Sequence, residues 1–164
     1  MNKIKVLIIG GNGMIGSELL RSLKLFNKNL EVKATLRNKL NHYDNYLIYN
    51  NKDCFFNIDV FEIDNIKDLI KLYKPNVIIN CVGITKQKIN DFSLNKVKYI
   101  NSNFPYKLYN ICNKESIRLI HLSTDCVFSG NRGEYKVKDD ADAKDVYGQT
   151  KIVGEIIHDN SLTI

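Results

Sequence analysis

Hydrophobic positions along the chain fall alternately into short apolar runs and stretches of helical spacing. Ile4, Val6, Leu7, Ile8 and Ile9 make a first run of strand length, and Met14, Ile15, Leu19 and Leu20 then recur as one face of a helix. That helix ends near Phe26, before Asn27-Lys28-Asn29. Residues 30–36 read as a second strand with Val32, Ala34 and Leu36 on one face, and 54–58 as a third, ending in Asp59-Val60. Between them, residues 38–51 are rich in Asn and Tyr and read as irregular, with one short element around 46–49. Ile63, Ile66, Leu69, Ile70 and Leu72 predict a helix closed by Pro75, and 77–82 is the unbroken apolar run of a buried parallel strand. Residues 90–114 predict a long, mostly helical connection that Pro105 either kinks or restarts. A fifth strand over 117–122, a helix over 146–158 and the opening of a sixth strand over 161–164 complete the pattern. Strands alternating with helices predict one α/β domain over 1–164, a doubly wound parallel sheet covered on both faces.

Composition narrows the possibilities. At 164 residues and 44% hydrophobic content the chain can bury a core of its own. No apolar run approaches the ~20 residues of a membrane span, and the chain opens on a strand rather than a signal sequence. A cytoplasmic protein with no membrane partner is expected. Cys54, Cys81, Cys112 and Cys126 lie far apart with no Cys-x-x-Cys pair, and only His42, His121 and His158 are available to join them. Reduced thiols and no metal site follow. The net charge of +6 comes from lysines scattered among acids, with no basic block interleaved with aromatics. A solvated surface explains it better than nucleic acid, and an anionic cofactor and substrate suit it.

Four glycines in seven positions separate the first strand from the first helix. Gly10 and Gly11 let the chain turn, Gly13 lets a pyrophosphate approach the backbone, and Gly16 lets helix and strand pack closely. With Met14 and Ile15 they form the opening turn of a helix whose free N–H groups would face phosphates. The glycines fit two registers, Gly11-x-Gly13-x-x-Gly16 and Gly10-x-x-Gly13-x-x-Gly16, and the turn alone does not choose between them. In a dinucleotide fold, an acid at the end of the second strand marks NAD; here that place holds Arg37, with no acid before Asp44. An arginine there can fork onto a 2′-phosphate, which favours NADP, with NAD still possible.

The second informative stretch runs from the fifth strand to the helix after it. The strand delivers Ser123, Thr124 and Asp125 at its carboxyl end, where ligands bind in open α/β sheets. Tyr147 and Lys151 are four apart and share a helix face. In a chain so rich in both residues that spacing arises about once by chance, so its position after the strand hydroxyls carries the weight.

Here the chain resembles the extended short-chain dehydrogenase/reductases, and within them the dTDP-4-dehydrorhamnose reductase branch. The likeness covers nearly all residues: GGNGMIG, Asp59-Val60, NVIINCVG, LSTDCVFSG and YGQTKIVGE. It implies an NADPH-dependent reductase of a 4-keto nucleotide sugar in surface polysaccharide precursor synthesis. Tyr147 would protonate the carbonyl oxygen, so its ordinary pKa of about 10 must fall by ~3, about 4 kcal/mol of differential stabilisation. Lys151 would favour the phenolate and hold the nicotinamide ribose, and Thr124 would hydrogen-bond the carbonyl oxygen. Asp59 and Val60 would meet the adenine, and Cys81, Val82 and Gly83 would line the path of the adenosine ribose and phosphates. Asn101 matches a position that supports the active site in relatives, or is an ordinary helix-surface asparagine.

Cys126 stands where related dehydratases carry a carboxylic acid after the aspartate, which argues for a reductase or an epimerase. The loop before Tyr147 departs from the family in Lys136, Val137, Lys138, Asp139 and Asp140, leaving the particular sugar open. Relatives continue for a further substrate-binding half, so the chain reads as a Rossmann portion truncated before it. A noncatalytic NADP-binding regulatory protein is the alternative from another class. A homodimer through 90–114 and 146–158 is a further implication of the likeness.

Overall fold

Strand β1 (Ile4–Ile9) lies inside a six-stranded sheet in the computed structural model, which describes residues 3–164. Its neighbours are β2 (Leu30–Thr35) and β4 (Val77–Asn80); β3 (Cys54–Phe55) lies outside β2, and β5 (Arg118–His121) and β6 (Ser161–Thr163) follow β4. Every pairing is parallel, and Ile8 sits opposite Ala34 on one side and Ile79 on the other. Five α-helices connect them: α1 (Met14–Phe26), α2 (Ile63–Tyr73), α3 (Leu94–Lys98), α4 (Phe104–Lys114) and α5 (Val146–Gly154).

Strand alternation divides the core between the two faces. Val6 and Ile8 pack with Leu20, Val32 and Ala34 beside α1, whereas Leu7 and Ile9 pack with Ile66, Ile70, Phe104 and Leu108 beside α2 and α4. Each fully buried Leu, Ile or Phe among them contributes about 1.5–3 kcal/mol of burial free energy. The sheet is doubly wound, as the periodicity predicts.

Several boundaries differ from the sequence reading. The third strand stops at Phe55 instead of continuing to 58, because Asn57 takes a positive φ of 59° that no extended ladder accommodates. The fourth stops at Asn80, whose Oδ1 accepts from the Val82 N–H at 3.1 Å and turns the chain. The short element between β2 and β3 is a 3₁₀ turn at Leu40–Tyr43, earlier than expected. The long connection is a 3₁₀ turn (Lys86–Asp91), α3, a π-helical turn (Tyr99–Asn103) and α4. Pro105 sits in the first turn of α4, directly after the π-helical turn. The last helix ends at Gly154 rather than 158, and Ile156 joins the core on the way to β6.

Candidate active site

The strand order reverses between β1 and β4, and a cleft of about 320 Å³ opens at their carboxyl ends. Gly10, Gly13, Arg37, Asp59, Val60, Cys81, Val82 and Gly83 line it together. A wider depression of about 850 Å³ lies at the other end of the sheet, against Lys3, Ile4 and Val77, where strands present amino ends and no turn is built for a ligand.

The glycines divide by purpose. A Cβ on Gly16 would lie 2.2 Å from the Gly10 carbonyl oxygen, and one on Gly11 2.5 Å from Ala34 Cβ, so both serve close packing of turn, helix and strand. Gly10 takes a φ of +88°, where an L side chain is strained. Gly13 is different: its φ is −74°, and a Cβ there would meet only the Gly10 oxygen at 3.5 Å. Protein packing does not require glycine at 13, and its open side faces the cleft. A cradle that a Cβ would occupy fits a phosphate against the backbone. The turn is held by Thr35, whose Oγ1 accepts from the Gly10 N–H at 3.2 Å and whose carbonyl accepts from Gly11 at 2.9 Å.

Met14 and Ile15 open α1 with exposed side chains, Met14 at 86%, and do not line the cleft; Gly16 is buried behind the turn. The cleft also takes in Asn12, Thr35, Ile58, Phe61, Lys88 and Ile100, which the sequence reading missed. Thr35 precedes Leu36-Arg37 and was hidden as an ordinary strand residue, and Lys88 stands in a stretch with no motif.

Beyond β5 the remaining candidates gather around α5. Asp145 caps this helix through Oδ1 on the Gly148 N–H at 2.9 Å, and Lys86 reaches its Oδ2 at 3.0 Å. Tyr147 is half-buried in the first turn, and Lys151 one turn later is 4% exposed. Lys151 Nζ donates to the Leu122 carbonyl at 2.6 Å. Burial pulls its pKa down from 10.5 to about 8, against the opposing pull of Glu155. Thr124 is half-buried; its Oγ1 accepts from the Cys126 N–H and donates to Asp125 Oδ1, both at 3.2 Å. Neither Thr124, Tyr147 nor Lys151 lines the glycine cleft itself.

Two asparagines tie the halves of the site together. Asn101, in the π-helical turn, is 1% exposed. Its Oδ1 accepts from the Ile84 N–H at 2.8 Å, and its Nδ2 donates to the Ile84 carbonyl at 3.0 Å and to Thr150 Oγ1 at 3.3 Å. The helix-surface alternative for Asn101 is thereby overturned. Close packing completes the join, since a Cβ on Gly154 would fall 1.9 Å from the Asn101 carbonyl. Asn80 bonds Val82 through its oxygen, leaving Nδ2 to donate to His121 Nδ1 at 3.1 Å. His121 therefore carries its proton on Nε2. Burial, and then the charge of Lys151, depress its pKa to about 3.

Burial pushes the Cys54 thiol up to about 11 and those of Cys81 and Cys112 up to about 12, so they stay protonated near neutrality. Among the described residues no helix is long and apolar enough to cross a membrane.

Sheet order, glycine turn and cleft define a doubly wound α/β protein of the Rossmann type. The sequence model of the RmlD substrate binding domain family matches residues 4–162, and the chain belongs to that family. A dTDP-4-keto-6-deoxy-D-glucose reductase of Streptomyces niveus is 27% identical over 91% of this chain and 45% of its own length. The crystal structure of a hypothetical dTDP-4-dehydrorhamnose reductase from Sulfolobus tokodaii superposes with a TM-score of 0.79 at 26% identity, over 98% of this chain and 54% of that one. The dTDP-4-dehydrorhamnose reductase of Bacillus anthracis in complex with NADP superposes at 0.75 with 21% identity, over 98% and 52%, a likeness of fold. The chain thus spans about half the length of these relatives.

Proposed function

We propose that the protein is an NADPH-dependent reductase of a 4-keto nucleotide sugar, to which this chain contributes the cofactor cleft and the proton-donor helix. The observation that carries the reading is Lys151, a buried amine one helical turn from Tyr147 and anchored on the Leu122 carbonyl. Burying an ammonium costs several kcal/mol, and fold stability alone gives no return for it. The names of the relatives support the same chemistry, and Arg37 at the cleft supports NADPH over NADH.

When bound, the reduced nicotinamide supplies hydride to the carbonyl carbon. Tyr147 donates its phenolic proton to the carbonyl oxygen, and the positive charge of Lys151 favours the phenolate left behind. An ammonium has three donors; with one on Leu122, two remain for ribose hydroxyls. Thr124 rotates its hydroxyl from the exposed Asp125 carboxylate to the substrate oxygen as charge develops there. Cys126 offers no second acid for elimination of water, which supports reduction over dehydration.

The test is consumption of NADPH in the presence of a dTDP-4-keto-6-deoxy sugar. Tyr147→Phe lowers turnover about a thousandfold while cofactor binding persists. Turnover retained in Tyr147→Phe contradicts the assignment of the proton donor.

A further inference from the structure

The cleft contains a cation that the glycine turn and the β2 arginine do not explain. Lys88 lines it beside Val82 and Gly83, from the 3₁₀ turn that follows β4. Arg37 enters from β2, and since β2 and β4 flank β1 on opposite sides, the two cations reach the cleft from opposite neighbours of the glycine turn.

The backbone presenting Lys88 is fixed. Ile84 is clamped through both its N–H and its carbonyl by Asn101, the Lys88 N–H donates to the Thr85 carbonyl at 3.0 Å, and Lys86 is paired with Asp145 at 3.0 Å. Lys86 is thus neutralised, whereas no carboxylate among the described residues lies within ion-pairing distance of the Lys88 ammonium. The carboxylate lining the cleft, Asp59, is engaged in its own turn, with Oδ1 accepting from the Phe61 N–H at 3.0 Å. An unpaired ammonium on a pinned segment, lining the same cleft as Gly10 and Gly13, is arranged for an anion.

We infer that Lys88 binds the diphosphate of the dinucleotide, leaving Arg37 for the 2′-phosphate. The diphosphate must cross the strand ends at the β1 turn, within reach of the β4 side, while the adenosine ribose lies toward β2. The inference rests on the cofactor reading above. It adds a diphosphate ligand outside the glycine turn.

Titration of the chain with NADPH and with NADH tests it, using Lys88→Met, Lys88→Arg and Arg37→Met, with thermal melts to establish that each variant folds. Lys88→Met weakens both cofactors by the same factor, about tenfold, Lys88→Arg restores most of the loss, and Arg37→Met weakens NADPH alone. Unchanged affinity in Lys88→Met, or a loss confined to NADPH, overturns the diphosphate assignment with the cofactor reading intact. Wild-type protein that binds neither cofactor overturns the cofactor reading and this inference with it.

Discussion

Lys151 hangs its ammonium on the carbonyl of Leu122 at 2.6 Å, the last carbonyl before the Ser123-Thr124-Asp125 run. That hydrogen bond ties the helix that carries Tyr147 to the segment after β5 that carries Thr124.

The buried amine has a pH signature. Its folded pKa of about 8 lies below the unfolded value of about 10.4, so the unfolded chain holds the extra proton between those limits. At pH 7 both states are charged and the native state bears the penalty; rising pH relieves it. Relative to Lys151→Met, the wild type gains about 2 kcal/mol of stability between pH 7 and pH 10, read by denaturant unfolding of the pair at each pH. The variant is at least as stable as the wild type at pH 7, and it loses turnover.

His121 produces the opposite limb. Its pKa of about 3 lies below the unfolded value of about 6.5, so falling pH protonates the unfolded state first and native stability declines from 6.5 toward 3. At pH 4.5 this amounts to about 3 kcal/mol. His121→Gln removes that dependence, and a parallel acid limb in both proteins contradicts the buried neutral imidazole.

Gly13 and Gly16 separate ligand from packing. Gly16→Ala drives a methyl to 2.2 Å from the Gly10 oxygen and costs about 2 kcal/mol or more of stability. Gly13→Ala keeps a φ that alanine adopts freely, so the melting temperature holds while NADPH affinity falls about tenfold. Thermal melts of the two variants, with a cofactor titration of the second, check the division.

Much of this was legible in residue pattern. The apolar runs placed all six strands, and the glycine spacing, Arg37, Asp59-Val60 and Cys81 to Gly83 converge on one cleft because parallel strands deliver their carboxyl ends to one side. What the pattern hid was local or long-range. Asn57 ends β3 through one positive φ, and Gly154 ends α5 against the Asn101 carbonyl, contacts that no window of periodicity contains. The Asn80–His121 bond joins residues 41 apart in sequence that become neighbours only in the β4–β5 register. Lys88 lies on an exposed 3₁₀ turn whose position depends on Asn101, so its sequence neighbourhood gives no sign of the cleft.

Calorimetric titration of the chain with NADPH and then NADH, alongside Arg37→Asp, decides whether the cleft is an NADPH site. Binding is expected, with NADPH the tighter ligand and the preference erased or reversed in the variant. A folded wild-type chain that binds neither cofactor, or both equally, contradicts that assignment.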